Sequence, residues 1–276
     1  MEAREITPDI VVLRSEGERS VLVAGPCSAV AIDLPRLQES ARQLAERAAR
    51  TAPAGLRTAI VTREPEDADL PLEQLAPLAV VRADRRPELN TPWDVVPPEL
   101  LRVRNVEVRL IREPRTLEVE GGRAFHVAPC TGIPRVLCVH IQPEDVLVVA
   151  DDLQPFLPPA VQPGCVQEAV RRYEDWQRRA PRVLIPASGV PIAGEVIHDV
   201  LEHSIRYLKT LAERMRVQMI QQHYPWEMLV HTIHWSDHWP QERASRAIAE
   251  RHRENIRAMA SDIWLRLNVP DARVPA

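Results

Sequence analysis

Thr58-Ala-Ile-Val-Thr-Arg-Glu-Pro-Glu-Asp-Ala-Asp-Leu70 decides how this chain is read: a short β-branched run breaks off in a loop of alternating acidic residues. Branched side chains are stiff at χ1 and pack well on a pleated surface, so residues 58–62 predict a buried strand. Pro65 and the carboxylates around it end the strand and predict a loop, the part of such a unit that carries a site.

Working outward, Ile6 to Leu13, Ser20 to Val23 and Ala29 to Ile32 are strand-like runs separated by turn residues, which predicts an opening meander. Asp33 and Pro35 then start a helix on which Leu37, Ala41, Leu44 and Ala48 recur at three- and four-residue spacing, giving a β-α-β unit with strand 58–62. Downstream, Leu75 to Val81 is another buried run, and Arg85 to Pro98 is a polar, proline-containing connection. Val106 to Ile111, Thr116 to Val119, Arg123 to Val127, Val136 to Ile141 and Val146 to Val149 predict a second sheet. Helical spacing resumes at Val166, Val170, Tyr173 and Trp176, followed by a strand at Arg182 to Ile185. Two β-rich halves, each with helices, predict an α/β chain built as an αββα sandwich.

From Gly194 to about Gln222 the pattern is helical, with Ile197, Leu201, Ile205, Leu208, Leu211, Met215 and Met219 in one apolar stripe. Trp226 to His238 is a short helix candidate, and Pro240 opens a last helix bearing Ile248, Ile256, Met259 and Ile263. We expect a domain over residues 1–208 and a C-terminal helical extension over 209–276 that packs on it or on a partner subunit.

With 276 residues, 45% of them hydrophobic, the chain can bury a sizeable core. A net charge of -4 and a pI near 6.2 leave no basic footprint for nucleic acid or an anionic membrane. No apolar run is long enough to cross a bilayer and the N-terminus lacks a signal-peptide pattern, so a cytoplasmic protein is expected. Cys27, Cys130, Cys138 and Cys165 form no C-x-x-C pair and are expected to be reduced, mostly buried thiols. Lys209 is the sole lysine beside arginine in a total of 35 basic residues, a bias that points to a GC-rich genome.

Four segments, in order, resemble the motifs of metallo-β-lactamase-fold hydrolases. The opening stretch is similar to the metal-binding H-x-H-x-D-H motif with Arg63, Pro65 and Ala68 in place of the histidines and Asp67 in place of the aspartate. Pro129-Cys-Thr-Gly-Ile-Pro134 resembles the P-G-H-T-x-G loop, with Thr131 at the histidine. The strand ending Ala150-Asp-Asp-Leu153 resembles G-D-x-L, so Asp151 matches the aspartate that bridges two metals. Arg182 to Gly189 resembles the strand ending in P-G-H-G, with Ser188 replacing the last histidine. The resemblance covers residues 5–208 and implies a four-layer αββα fold.

In that family imidazole and carboxylate ligands hold divalent ions, usually zinc, that lower the pKa of a bound water. Of the seven ligand positions only Asp67 and Asp151 are retained. The resemblance therefore implies a degenerate site, no expected cofactor, and a pseudoenzyme that binds a small ligand or serves a structural or regulatory role. In relatives, appended helices close the cleft or build a dimer contact, so a homo-oligomer or a partner protein is expected through the C-terminal helices.

The alternative is a hydrolase with a relocated metal or metal-independent chemistry. His231, His234 and His238 at i, i+3 and i+7 would share one helical face and could hold zinc, manganese or iron. Trp235 and Trp239 are interleaved with them, so the same face could instead pack on a neighbour. Cys130, with His126 four residues before it, could be a thiol nucleophile with a base. Without a metal, Asp67 and Asp151 need a cation between them, and Arg63 is positioned to supply it or else faces solvent. If it supplies it, Arg63→Ala lowers the melting temperature and loosens the mouth of the cleft; an unchanged melting curve and unchanged hydrogen exchange there would show an arginine that faces solvent.

Overall fold

The computed structural model describes residues 1–15, 18–63, 78–83, 106–111, 113–119, 122–130, 136–149, 153–240 and 245–268. The chain forms two compact units, Met1–Cys130 with Pro134–Ala150, and Thr131–Ile133 with Asp151–Ala276. The expected boundary at 208 lies inside a single unbroken helix of the second unit.

In the first unit, one sheet takes its seven strands in sequence order: β1 (Glu2–Thr7), β2 (Ile10–Ser15), β3 (Glu18–Ala24), β4 (Ala29–Ile32), β5 (Leu56–Val61), β6 (Leu78–Ala83) and β7 (Val106–Ile111). β1 to β4 pair antiparallel, and from β4 onward the pairing is parallel. A parallel neighbour needs a crossover, and α1 (Gln38–Thr51) supplies it between β4 and β5. Its Ser40, Ala41, Leu44 and Ala48 are buried, and Ala41, Leu44 and Ala48 pack in one cluster with Val11, Leu13, Leu22, Ala31 and Ala59 of the sheet. The return from α1 needs a left-handed residue, supplied by Gly55 at φ 65°, whose carbonyl accepts from Ala29.

The alternate residues Ile10, Val12, Val21, Val23, Val30, Ile32 and Ile60 are buried as well. Strands buried on both faces need a second layer, and the unit's other antiparallel strands provide it: β8 (Arg115–Val119), β9 (Arg123–Pro129), β10 (Leu137–Gln142) and β11 (Val146–Val148). Phe125, Val127, Leu137, Val139 and Ile141 are their buried face. Arg123 of β9 joins the layers, donating to the Ala24 carbonyl and pairing with Glu144 and, at 3.1 Å, with Asp9. Those carboxylates raise the Arg123 pKa above its ordinary value.

The second unit holds α2 (Val166–Arg179), the short pair β12 (Val183–Ile185) and β13 (Ile192–Ala193), α3 (Glu195–Arg216), α4 (Trp226–Thr232) and α5 (Arg246–Asn268). The stripe Ile197, Leu201, Ile205, Leu208, Leu211 and Met215 is buried, with α2 and α5 packed on α3. These residues of the stripe are part of the core of their own unit. The helix expected over residues 226–238 also stops at Thr232, and α5 begins at Arg246 rather than at Pro240. The two sheets with flanking helices are the mixed α/β class that the sequence predicts, and no helix among the described residues is long and apolar enough to cross a membrane.

A closed chain of hydrogen bonds runs through this core. Asn255 of α5 donates to the Pro159 carbonyl at 2.9 Å and to the Tyr207 hydroxyl at 3.1 Å, and accepts from the Val161 N–H at 3.1 Å. Tyr207 of α3 donates to His252 Nδ1 at 3.0 Å, while His252 Nε2 donates to the Ile233 carbonyl at 3.1 Å. This pattern requires a neutral imidazole with its proton on Nε2. Burial lowers the His252 pKa to about 4, against a weaker opposing effect of the Ile233 carbonyl, and burial raises that of Tyr207.

A folded pKa below the unfolded one means that the unfolded chain binds the proton more readily, so the His252 contribution is complete above about pH 6.5 and is lost as pH falls toward 4. Stability in urea should fall across that window by at most about 3 kcal/mol from this residue, and the fall should flatten in His252→Gln. At pH 7.5, Tyr207→Phe should cost about 2 kcal/mol, because it strands a buried acceptor and a buried donor.

Candidate functional site

Parallel pairing sets the carboxyl ends of β4 and β5 side by side, and the first residue past β4 is Asp33, held in the left-handed region at φ 59°. Aspartate tolerates that conformation better than most residues do. Its N–H donates to the Ile60 carbonyl at 2.8 Å, and its carboxylate accepts from the Thr62 N–H at 2.7 Å and from the Thr62 hydroxyl at 2.8 Å. Arg19 of β3 donates to the same carboxylate at 2.6 Å and, through its other terminal nitrogen, to the Val149 carbonyl at 3.3 Å. Arg19 is 7% exposed and Thr62 is fully buried. One carboxylate thus fastens the end of β5, where the first motif begins, to the residue after β11, two positions before Asp151.

The second motif is tied to the same point. Leu137 donates to the Thr62 carbonyl at 2.6 Å, the Arg63 main chain bridges Val136, and the Cys130 N–H donates to the Val136 carbonyl at 2.8 Å. Three loop roots of the first unit therefore meet at Thr62 and Arg63. Sequence reasoning missed Asp33 and Arg19. An aspartate directly after a buried strand was the available signal and was read as a helix start, while nothing distinguishes Arg19 among so many arginines.

The Arg63 residue is half-buried at this junction. Its expected partners Asp67 and Asp151, and Pro65, Ala68 and Thr131 with them, lie outside the described residues. Ser188 is half-buried in the loop after β12 of the second unit.

The Cys130 sulfur is bonded to Cys138, which corrects both the expected reduced thiols and the thiol nucleophile. β9 and β10 pair with Ala128 opposite Cys138, so Cys130, two residues on, is a diagonal neighbour on the same face within disulfide reach. Cys27 is exposed, not buried, and Cys165 is half-buried. His126, the proposed base, shares Nδ1 with the Thr116 hydroxyl and Nε2 with Gln142.

The three C-terminal histidines do not share a helical face. His231 lies in the last turn of α4 and is exposed, His234 precedes a single tight turn at Trp235–Asp237 and is exposed, and His238 follows it, bonded to the Thr210 hydroxyl at 3.0 Å. Burial lowers the His238 pKa, and its ring stacks on His252 at 6.0 Å. Trp239 is buried edge-on to Tyr207, so packing, the other reading of this segment, accounts for the tryptophan. Among the described residues, the one group of three whose ligand atoms converge is His198, Asp199 and Glu202 on α3; all three are exposed, and His198 already meets Gln177 at 3.1 Å.

No family model and no curated protein matches the sequence. Solved structures do match. A metallo-β-lactamase family protein from Thermus thermophilus aligns with TM-score 0.61 and 17% identity, over 95% of this chain and 95% of its own. A β-lactamase domain protein from Burkholderia ambifaria aligns with TM-score 0.65 and 16% identity, over 96% and 88%. The inverting sec-alkylsulfatase Pisa1 from Pseudomonas sp. aligns with TM-score 0.64 and 12% identity over 94% of this chain, which spans about half of that enzyme at 49%. The chain has the metallo-β-lactamase fold, as its four motif-like segments imply.

Asp33→Asn keeps the left-handed turn and the acceptor for Thr62 but removes the carboxylate charge that lies 2.6 Å from buried Arg19. It should cost about 3–5 kcal/mol in chemical denaturation, and adding Arg19→Met should recover part of the loss by removing that charge.

Proposed function

We propose that the chain is a metallo-β-lactamase-fold pseudoenzyme: a protein without the dinuclear metal site and its hydrolysis, which binds a small ligand or acts as a structural or regulatory partner. The observation that carries this reading is the donor set. Arginine stays protonated, proline and alanine offer no side-chain donor, and the hydroxyls of Thr131 and Ser188 are poor ligands for zinc. Two carboxylates do not make up the loss, so these residues do not fit a pair of zinc ions and no hydrolytic step is derived through them.

The clamp of Asp33, Arg19 and Thr62 supports the same reading. It holds the motif roots with hydrogen bonds made by residues outside the seven metal positions, so the scaffold does not need an ion to close it. We further propose that the C-terminal helices meet a second copy or a partner protein. Tyr224, Trp226 and Met228 are each more than a third exposed around the start of α4, an apolar surface suited to such a contact.

Untagged protein dialysed against chelator-free buffer should retain less than about a tenth of an equivalent of metal attributable to Asp67 and Asp151, given the affinity of real zinc sites. Near-stoichiometric metal that disappears in Asp67→Asn with Asp151→Asn would overturn the proposal. Light scattering on the same sample should give a mass above that of one chain, and Trp226→Asp should return it to the monomer if no other protein is needed.

A further inference from the structure

The opening turns of α3 carry a group of side chains that none of the motifs above uses. His198 and Glu202 are four residues apart on the helix and Asp199 and Glu202 three, so Glu202 lies one turn beyond both. Helical side chains tilt toward the N-terminus, which leans the Glu202 carboxylate back over the other two. The ligand atoms therefore converge. The imidazole nitrogen and the two carboxylate oxygens that these residues offer all lie within 4.8 Å of one another, and His198 Nδ1 is 3.8 Å from a Glu202 oxygen.

Exposed carboxylates on a helix are ordinarily a solvated face. Two features set this group apart. One is the imidazole, which gives the oxygens a nitrogen partner at the distance just given. The other lies outside the group: the Gln177 amide of α2 is 3.1 Å from His198 Nε2, so the neighbouring helix holds the far edge of the ring while Nδ1 meets Glu202. When Nδ1 ligates, the proton of the neutral ring sits on Nε2, and the Gln177 amide turns over to accept it through Oε1. Holding one ring nitrogen so that the other meets the ion is how metal-binding histidines are oriented.

We propose that His198, Asp199 and Glu202 bind a divalent cation of the zinc type, with Gln177 as a positioning residue. A nitrogen beside two carboxylate oxygens suits zinc or nickel, whereas magnesium and calcium take oxygen throughout. Ligand atoms about 2.1 Å from a tetrahedral ion stand roughly 3.4 Å apart, and rotation of three exposed side chains closes the difference without moving the helix. Two carboxylates offset the charge of the ion, so binding also removes their mutual repulsion, and water completes the coordination. The site shares no residue with the seven motif positions, so it stands whether or not those bind metal.

The test is calorimetric titration of untagged, chelator-stripped protein with zinc, nickel and magnesium, with accessible thiols alkylated and no reductant present. One equivalent of zinc or nickel should bind, and magnesium should not. His198→Gln and Glu202→Gln should each weaken binding at least tenfold, and Asp199→Asn and Gln177→Ala by about tenfold. His231→Gln should change nothing. The equivalent should persist in Asp67→Asn with Asp151→Asn, so that metal at the motif positions and metal on α3 give different results. Histidine ring spectra provide a second reading, since zinc should shift the Nδ1 signal of one residue that is missing in His198→Gln. Binding that survives His198→Gln, that disappears with His231 or with the two motif aspartates, or that is absent altogether would overturn the proposal.

Discussion

The ion pair between Arg19 and Asp33 is the constraint on which the first unit depends. A charge inside a protein is costly unless its partner is close, and here the Asp33 carboxylate lies 2.6 Å from the guanidinium. Asp33 takes two donors from Thr62 as well as the guanidinium, and Arg19 reaches on to the Val149 carbonyl. The pair therefore fixes the ends of β4, β5 and β11 together. Its role is positional more than energetic, since a well-packed apolar replacement could equal it in stability but would not choose which strand ends meet.

The second unit solves a related problem without charge. Tyr207, His252 and Asn255 place polar groups in the core of α3 and α5, and each donor finds an acceptor in a main-chain carbonyl or in another member of the set. Satisfied in this way, the network sets the register between helices whose apolar contacts alone would tolerate sliding. It also makes the core dependent on a neutral imidazole, which couples this unit to pH.

The bonds of Asp33, Arg19 and Thr62 tie the loop roots through residues outside the seven motif positions. The likeness to metallo-β-lactamase-fold proteins at 12–17% identity speaks for architecture, while function has to be argued from the groups at the site. Those groups are an arginine, a proline, an alanine, a threonine and a serine at the positions that match the family's histidines. The two imidazoles that do stand together, His126 and His140, are neighbours on β9 and β10.

Periodicity alone determined most of the elements. Most strands of both sheets, α1, α2 and the long α3 follow from period-two and period-3.6 spacing, because burial of one face is a local demand that each segment records; the run expected over Ile6 to Leu13 is instead split by the turn between β1 and β2, and β13 had no such signal. The motif order further implied the fold and the missing ligands, since residue identity needs no coordinates. Tertiary structure decided the rest. α4 stops at Thr232 with no proline or glycine to announce it: Ile233 and Trp239 are both buried, yet lie about 120° apart around a continuous helix, so the chain must leave the helix to bury both. The bond between Cys130 and Cys138 depends on hairpin register, and the burial of Arg19 on a partner fourteen residues away, neither of which leaves a local pattern to read.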